Sequence, residues 1–249
     1  MDRAFSASSF PIFAALAVSA ATLRHMLVFV VCLVVATAFH EFAHALAAHK
    51  LGDRTPESEG RLTLNPMNHA DPIGTIALPL IAGLTHAPLL GWGRPVMTRP
   101  QQYSRRISMR AGMALVSFAG PLANLLQAAV TVGVAAILVF VAGLQPAAYA
   151  GLFAILGVFF FLNITLAVFN LLPVHPLDGG KILAWALPPR FDYIDDFLTR
   201  YGFVILLGLM LAPGILSFIF NPLHKLALTV MSGVSPDWAI VYGKWLFAA

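Results

Sequence analysis

From Ala111 to Leu177 the chain carries no Asp, Glu, Lys or Arg. A stretch that long without a fixed charge cannot form the surface of a protein in water. It suffices for two helices across a hydrocarbon layer about 30 Å thick, with Gly143 to Pro146 as the turn between them. Composition agrees: 59% of residues are hydrophobic and 10% charged, against about 25% charged in soluble domains. The expected fold class is an all-α polytopic membrane protein, a bundle of about five or six transmembrane helices.

Other apolar runs fill out that count. Phe5 to Leu23 is expected to be an uncleaved first helix, because Asp2 and a lone Arg3 make a poor signal-peptide start. A second run begins at Met26 and continues without a breaker to about Lys50. Tyr201 to Leu223 is long enough to span again. The tail, with Trp238, Tyr242 and Trp245, suits an interfacial segment as well as a short further span. Pro72 to Trp92 is uncharged but broken by Gly74, Pro79, Gly83 and Pro88, which predicts a re-entrant loop or broken hairpin. Before it, Arg61-Leu62-Thr63-Leu64 alternates and reads as a short β-strand.

The net charge of +4 does not signal nucleic acid, because the basic residues lie in short loops between apolar runs. Five arginines and no acid fall between Arg94 and Arg110, which places that loop in the cytoplasm. The helix from Met26 then runs inward, and the pair after Ala111 goes out and returns. Residues near His44 and near Asp178 arrive on the same, cytoplasmic side. Cys32 is the sole cysteine, so an internal disulfide and a thiolate zinc cluster are both excluded.

His40-Glu41-Phe42-Ala43-His44 places a charged motif inside an apolar helix. Residues i and i+4 share a helix face, so the two imidazoles can converge on one zinc ion. Glu41 projects about 100° round from His40, within reach of an attacking water whose proton it can accept. An acid and two histidines at membrane depth are costly, which argues against idle polar packing. Zinc of this kind needs a third protein ligand. Glu57 and Glu59 follow soon after but lie in a polar loop beyond a Gly and a Pro. Asp178 is the better candidate: it is the only acid between Asp71 and Asp192, in a stretch that Pro173, Pro176 and the following glycines keep from being a regular helix. His69 and Asp71 either line the site from the re-entrant segment or, for Asp71 before Pro72, cap a turn.

These segments together resemble the site-2 protease family of intramembrane metalloproteases. The resemblance is carried by His40 to His44, by Gly60-Arg61-Leu62-Thr63-Leu64-Asn65-Pro66 with His69, Asp71 and Pro72, by Gly120-Pro121-Leu122-Ala123-Asn124, and by Asn170-Leu171-Leu172-Pro173 leading to Leu177-Asp178-Gly179. They occur in the family's order over roughly Thr37 to Leu183. The resemblance implies one zinc per chain bound by His40, His44 and Asp178, with Glu41 as the catalytic base. It also implies that Asn124 and Asn170 lie near the site and position substrate, with His69 as a further candidate. His175 departs from the pattern, standing where related chains often have an apolar residue or proline.

The resulting expectation is a single membrane-embedded protease domain over 1–249, with its core at 26–183. It would cut a peptide bond within or near the transmembrane segment of a membrane protein, in the cell's inner membrane, with the active site towards the cytoplasm. The 61–64 strand would pair with the unwound substrate. The rivals are a metal transporter or channel, which has no need of Glu41, and an inactive protease-like scaffold, which an intact Glu41 disfavours.

Overall fold

The computed structural model describes residues 20–85 and 91–247. Among them the architecture is all-helical, and three helices are long and apolar enough to cross a membrane. Helix α1 is Ala20–Lys50, continuous through Arg24 and His25. The expected first helix at Phe5 to Leu23 lies outside the described residues except for its last four, which belong to α1. The broken segment begins as a turn of π-helix at Pro72–Ala77 and continues as α2, Leu78–Thr85. Asp71 caps it, accepting from Ile73 N and Gly74 N at 2.9 and 2.7 Å. The chain then returns: Trp92 N donates to Gly74 O, and the Thr75 hydroxyl donates to Trp92 O. Residues 72–85 are thus helical, and residues 86–90 of the expected broken segment lie outside the described residues.

Helices α3 (Met109–Phe140) and α4 (Ala150–Asn170) form the uncharged hairpin. Then come α5 (Asp178–Ala186), α6 (Asp192–Leu211), α7 (Pro213–Val234) and α8 (Pro236–Phe247). Helix α3 is central, packing on α1, α4 and α5. The apolar core gathers Leu33 and Ala36 of α1, Ala128 and Ala135 of α3, and Phe153 and Phe160 of α4. Trp238 and Tyr242 of α8 are fully buried in that core, and the Trp238 indole N–H donates to Phe153 O at 2.9 Å. Those aromatic side chains therefore pack against protein rather than at a lipid interface.

Two expectations meet a different structure. Residues 61–64 form no strand, and the described residues contain only one isolated bridge, Ala70 with Gly93. Several polar groups of the loop bond within it. Thr63 O accepts from the His69 ring, Gly60 O from the Asn68 amide, and Asn68 O from the Arg61 guanidinium. The Tyr201 to Leu223 span is divided at Ala212, whose ψ of 95° is extended. Pro213 causes the break, since it disfavours helical backbone at the residue before it and supplies no N–H. At the start of α6, Asp192 and Arg110 pair at 2.9 and 3.0 Å, tying α6 to α3. The guanidinium hydrogen bonds hold the Asp192 carboxyl below its usual range.

Candidate metal centre

Helix α1 presents His40 and His44 on one face, with their rings edge to face and centroids 4.6 Å apart. Their Nε2 atoms are 3.0 Å apart. Asp178 Oδ2 lies 3.3 Å from His40 Nε2 and 3.2 Å from His44 Nε2. All three residues are buried. Asp178 is brought there by the first turn of α5 and by the glycines behind it. A Cβ on Gly179 would collide with the Leu171 and Leu172 carbonyls, and one on Gly180 would lie 2.9 Å from His175 N. The Leu-Asp-Gly-Gly sequence thus allows α5 to start hard against the end of α4.

Hydrogen bonds settle the form of each ring. His44 Nδ1 faces Val116 O at 2.7 Å, and His40 Nδ1 faces Asn124 Oδ1 at 2.5 Å. Both partners accept, so both Nδ1 atoms carry the proton, and in the neutral imidazole that metal binding requires both Nε2 atoms are bare lone pairs. Two lone pairs and a carboxylate oxygen converging at 3.0 to 3.3 Å repel one another unless a cation lies between them. Tetrahedral zinc with bonds of about 2.0–2.2 Å sets its ligands roughly 3.3 Å apart. The donor set and its spacing therefore fit zinc.

Glu41 is also buried, and its Oε2 accepts from Val96 N at 3.0 Å. The chain from Gly93 to Met97 passes along this side of α1. A Cβ on Gly93 would lie 3.5 Å from Glu41 Cγ. Between Tyr103, Ser117 and Lys181 is a cavity of about 30 Å³, room for a water molecule.

The other expected residues are dispersed. Asn124 lies behind His40, on the ring edge away from the three converging atoms. Asn170 donates to Leu166 O of its own helix. His69 is fully buried within the 60–70 loop, donating to Thr63 O at 2.7 Å. His175 pairs with Asp195 of α6 at 3.0 Å. Glu57 pairs loosely with His49, 3.7 Å away. Asn163, absent from the expected set, contacts Asn124. Its signal in the sequence is an amide in the middle of an otherwise apolar helix.

Comparison with known proteins bears on what this centre does. Residues 135–209, which include Asp178, match Peptidase family M50. A Bacillus subtilis (strain 168) protein named "Putative zinc metalloprotease YwhC" is 38% identical over 186 residues, covering 74% of this chain and 80% of that protein. The chain belongs to the M50, or site-2 protease, family. Two mycobacterial relatives, each named "Putative zinc metalloprotease Rip2", match as well. The Mycobacterium tuberculosis (strain H37Rv) protein is 32% identical over 202 residues, 81% of this chain and 72% of that protein. The Mycolicibacterium smegmatis protein is 31% identical over 183 residues, 73% of this chain and 66% of that protein. No solved structure matches significantly. As an M50 member the chain is a membrane metalloendopeptidase that uses zinc.

Proposed function

We propose that this M50 peptidase is a single membrane-embedded protease domain that hydrolyses a peptide bond within or near the transmembrane segment of a membrane protein. The observation that carries the reading is the convergence of three buried acceptor atoms from α1 and α5, amid apolar helices, with Glu41 beside them. His40, His44 and Asp178 hold the zinc through two Nε2 atoms and a carboxylate oxygen. Bound there, zinc supplies a Lewis acid that acidifies water and polarises the scissile carbonyl. Glu41 accepts the proton of the attacking water and returns it to the leaving amide nitrogen. The Val96 N–H restrains one oxygen of that carboxylate and leaves the other to take the proton.

The substrate segment must unwind to react, since carbonyls in a helix are already hydrogen-bonded. We place the enzyme in the cell's inner membrane with the site towards the cytoplasm, on the strength of the five arginines at 94–110. The apolar part of α6 together with α7 supplies a further span beyond the three long ones. A metal transporter would not need a carboxylate beside the metal that is outside the converging set, and an inactive scaffold would not retain it.

The test compares wild type and Glu41→Gln, measuring zinc content and cleavage of a single-pass membrane substrate. Glu41→Gln is expected to hold about one zinc and to lose roughly 10²- to 10⁴-fold in cleavage. Full cleavage by Glu41→Gln would end the mechanism. Metal flux into vesicles without any cleavage would favour the transporter.

A further inference from the structure

Asn163 is fully buried in the middle of α4, and the chemistry above makes no use of it. An amide in an apolar helix is costly to bury unless its polar atoms are bonded, and here both ends are. Its Nδ2 donates to Phe159 O, one turn back, at 2.9 Å. A main-chain carbonyl can only accept, so this bond decides which end of the amide is which. Asn163 Oδ1 then faces Asn124 Nδ2 at 2.9 Å. That leaves Asn124 Oδ1 for His40 Nδ1, at 2.5 Å. An unbroken order of donors and acceptors runs from a carbonyl of α4, through two side-chain amides, to a ring on α1.

We infer that Asn163 is a positioning residue for the metal centre: by fixing the orientation of the Asn124 amide, it holds His40 in the tautomer whose bare Nε2 faces His44 and Asp178. The inference rests on the reading of His40 as a zinc ligand. Were the Asn124 amide reversed, its NH₂ would face His40 Nδ1. The ring would then carry its proton on Nε2 and offer the metal no lone pair. Ala36 O also accepts from Asn124 Nδ2, but at 3.4 Å, and Gln127 Nε2 shares that carbonyl at 3.3 Å. Asn163 is the closer and undivided partner. The tautomer of a ligand histidine is commonly set by the group on its other nitrogen. Here control lies one residue further back, on a third helix.

The test is zinc affinity of the purified chain, measured by chelator competition, for wild type, Asn163→Leu, Asn163→Asp and His40→Ala. Leucine keeps the volume but neither accepts nor donates. An aspartic acid in this dry setting stays neutral, so its O–H donates to Phe159 O and its carbonyl accepts from Asn124, as the native amide does. Asn163→Leu is expected to bind zinc about 10- to 100-fold more weakly, with Asn163→Asp close to wild type. Should Asn163→Leu fail to fold, the smaller Asn163→Ala replaces it with the same expectation. Wild-type affinity in the Leu or Ala variant, or an Asp variant as weak as they are, overturns the inference, provided His40→Ala has lost its zinc. Zinc retained by His40→Ala would instead overturn the ligand reading beneath it.

Discussion

Gly120 of α3 stands directly against His44 of α1: a Cβ built on it would strike His44 Nε2 and come within 2.6 Å of His40 Cε1. Backbone, rather than a side chain, forms the wall of the metal centre at this point. Pro121, the next residue, lacks an N–H and loosens the same turn of α3. That turn also carries the Val116 carbonyl, which accepts from His44.

Gly120→Ala should therefore disable the centre at the cost of a single methyl group. Overpacking of this kind typically costs about 1–3 kcal/mol, so the protein should still fold. Displacing the imidazoles by about 1 Å should lower cleavage about 10²-fold. Zinc content and cleavage measured on the folded variant check this, and wild-type values for both would contradict the close packing seen here.

Removing zinc with a chelator should abolish cleavage, and about one equivalent should restore it. Helix content by circular dichroism should stay unchanged. The rings are held by Val116 O and Asn124 independently of metal, and the apolar core lies elsewhere. Unfolding on zinc removal would mean that the metal is structural.

Val96→Pro deletes the N–H that bonds Glu41 and should leave zinc binding intact. Hydrogen bonds to charged groups contribute about 1.5–3 kcal/mol, so cleavage should fall roughly 10- to 100-fold. Val96→Ala keeps the N–H and should cleave normally. Equal activity of the two variants would show that Glu41 does not depend on this bond.

Orientation is open to direct measurement. Reporter fusions at Arg106 and Asp192 should both read cytoplasm, and one at Gln145 the far side. A far-side signal at Arg106 would reverse the topology argued from the arginines.

The sequence alone determined what depends on local spacing. His40 and His44 share a helix face because i and i+4 always do, and the uncharged run from Ala111 to Leu177 is a helical hairpin because lipid tolerates little else. The turn after α4 is legible from Pro173 and Pro176, which restrict the backbone, and from Gly179 and Gly180, which let it approach closely. The tertiary structure decided what depends on which atoms of distant segments meet. The alternating pattern at 61–64 reads as a strand, but there the chain is a loop in which Thr63 O accepts from His69 and the Arg61 guanidinium donates to Asn68 O. The apolar run at 201–223 looked continuous, yet Pro213 broke it. Above all, the bare Nε2 atoms of both histidines follow from a carbonyl on α3 and from Asn124, whose orientation is set from α4. A hydrogen bond's direction is fixed by its partner, and helix packing, not sequence spacing, chooses that partner.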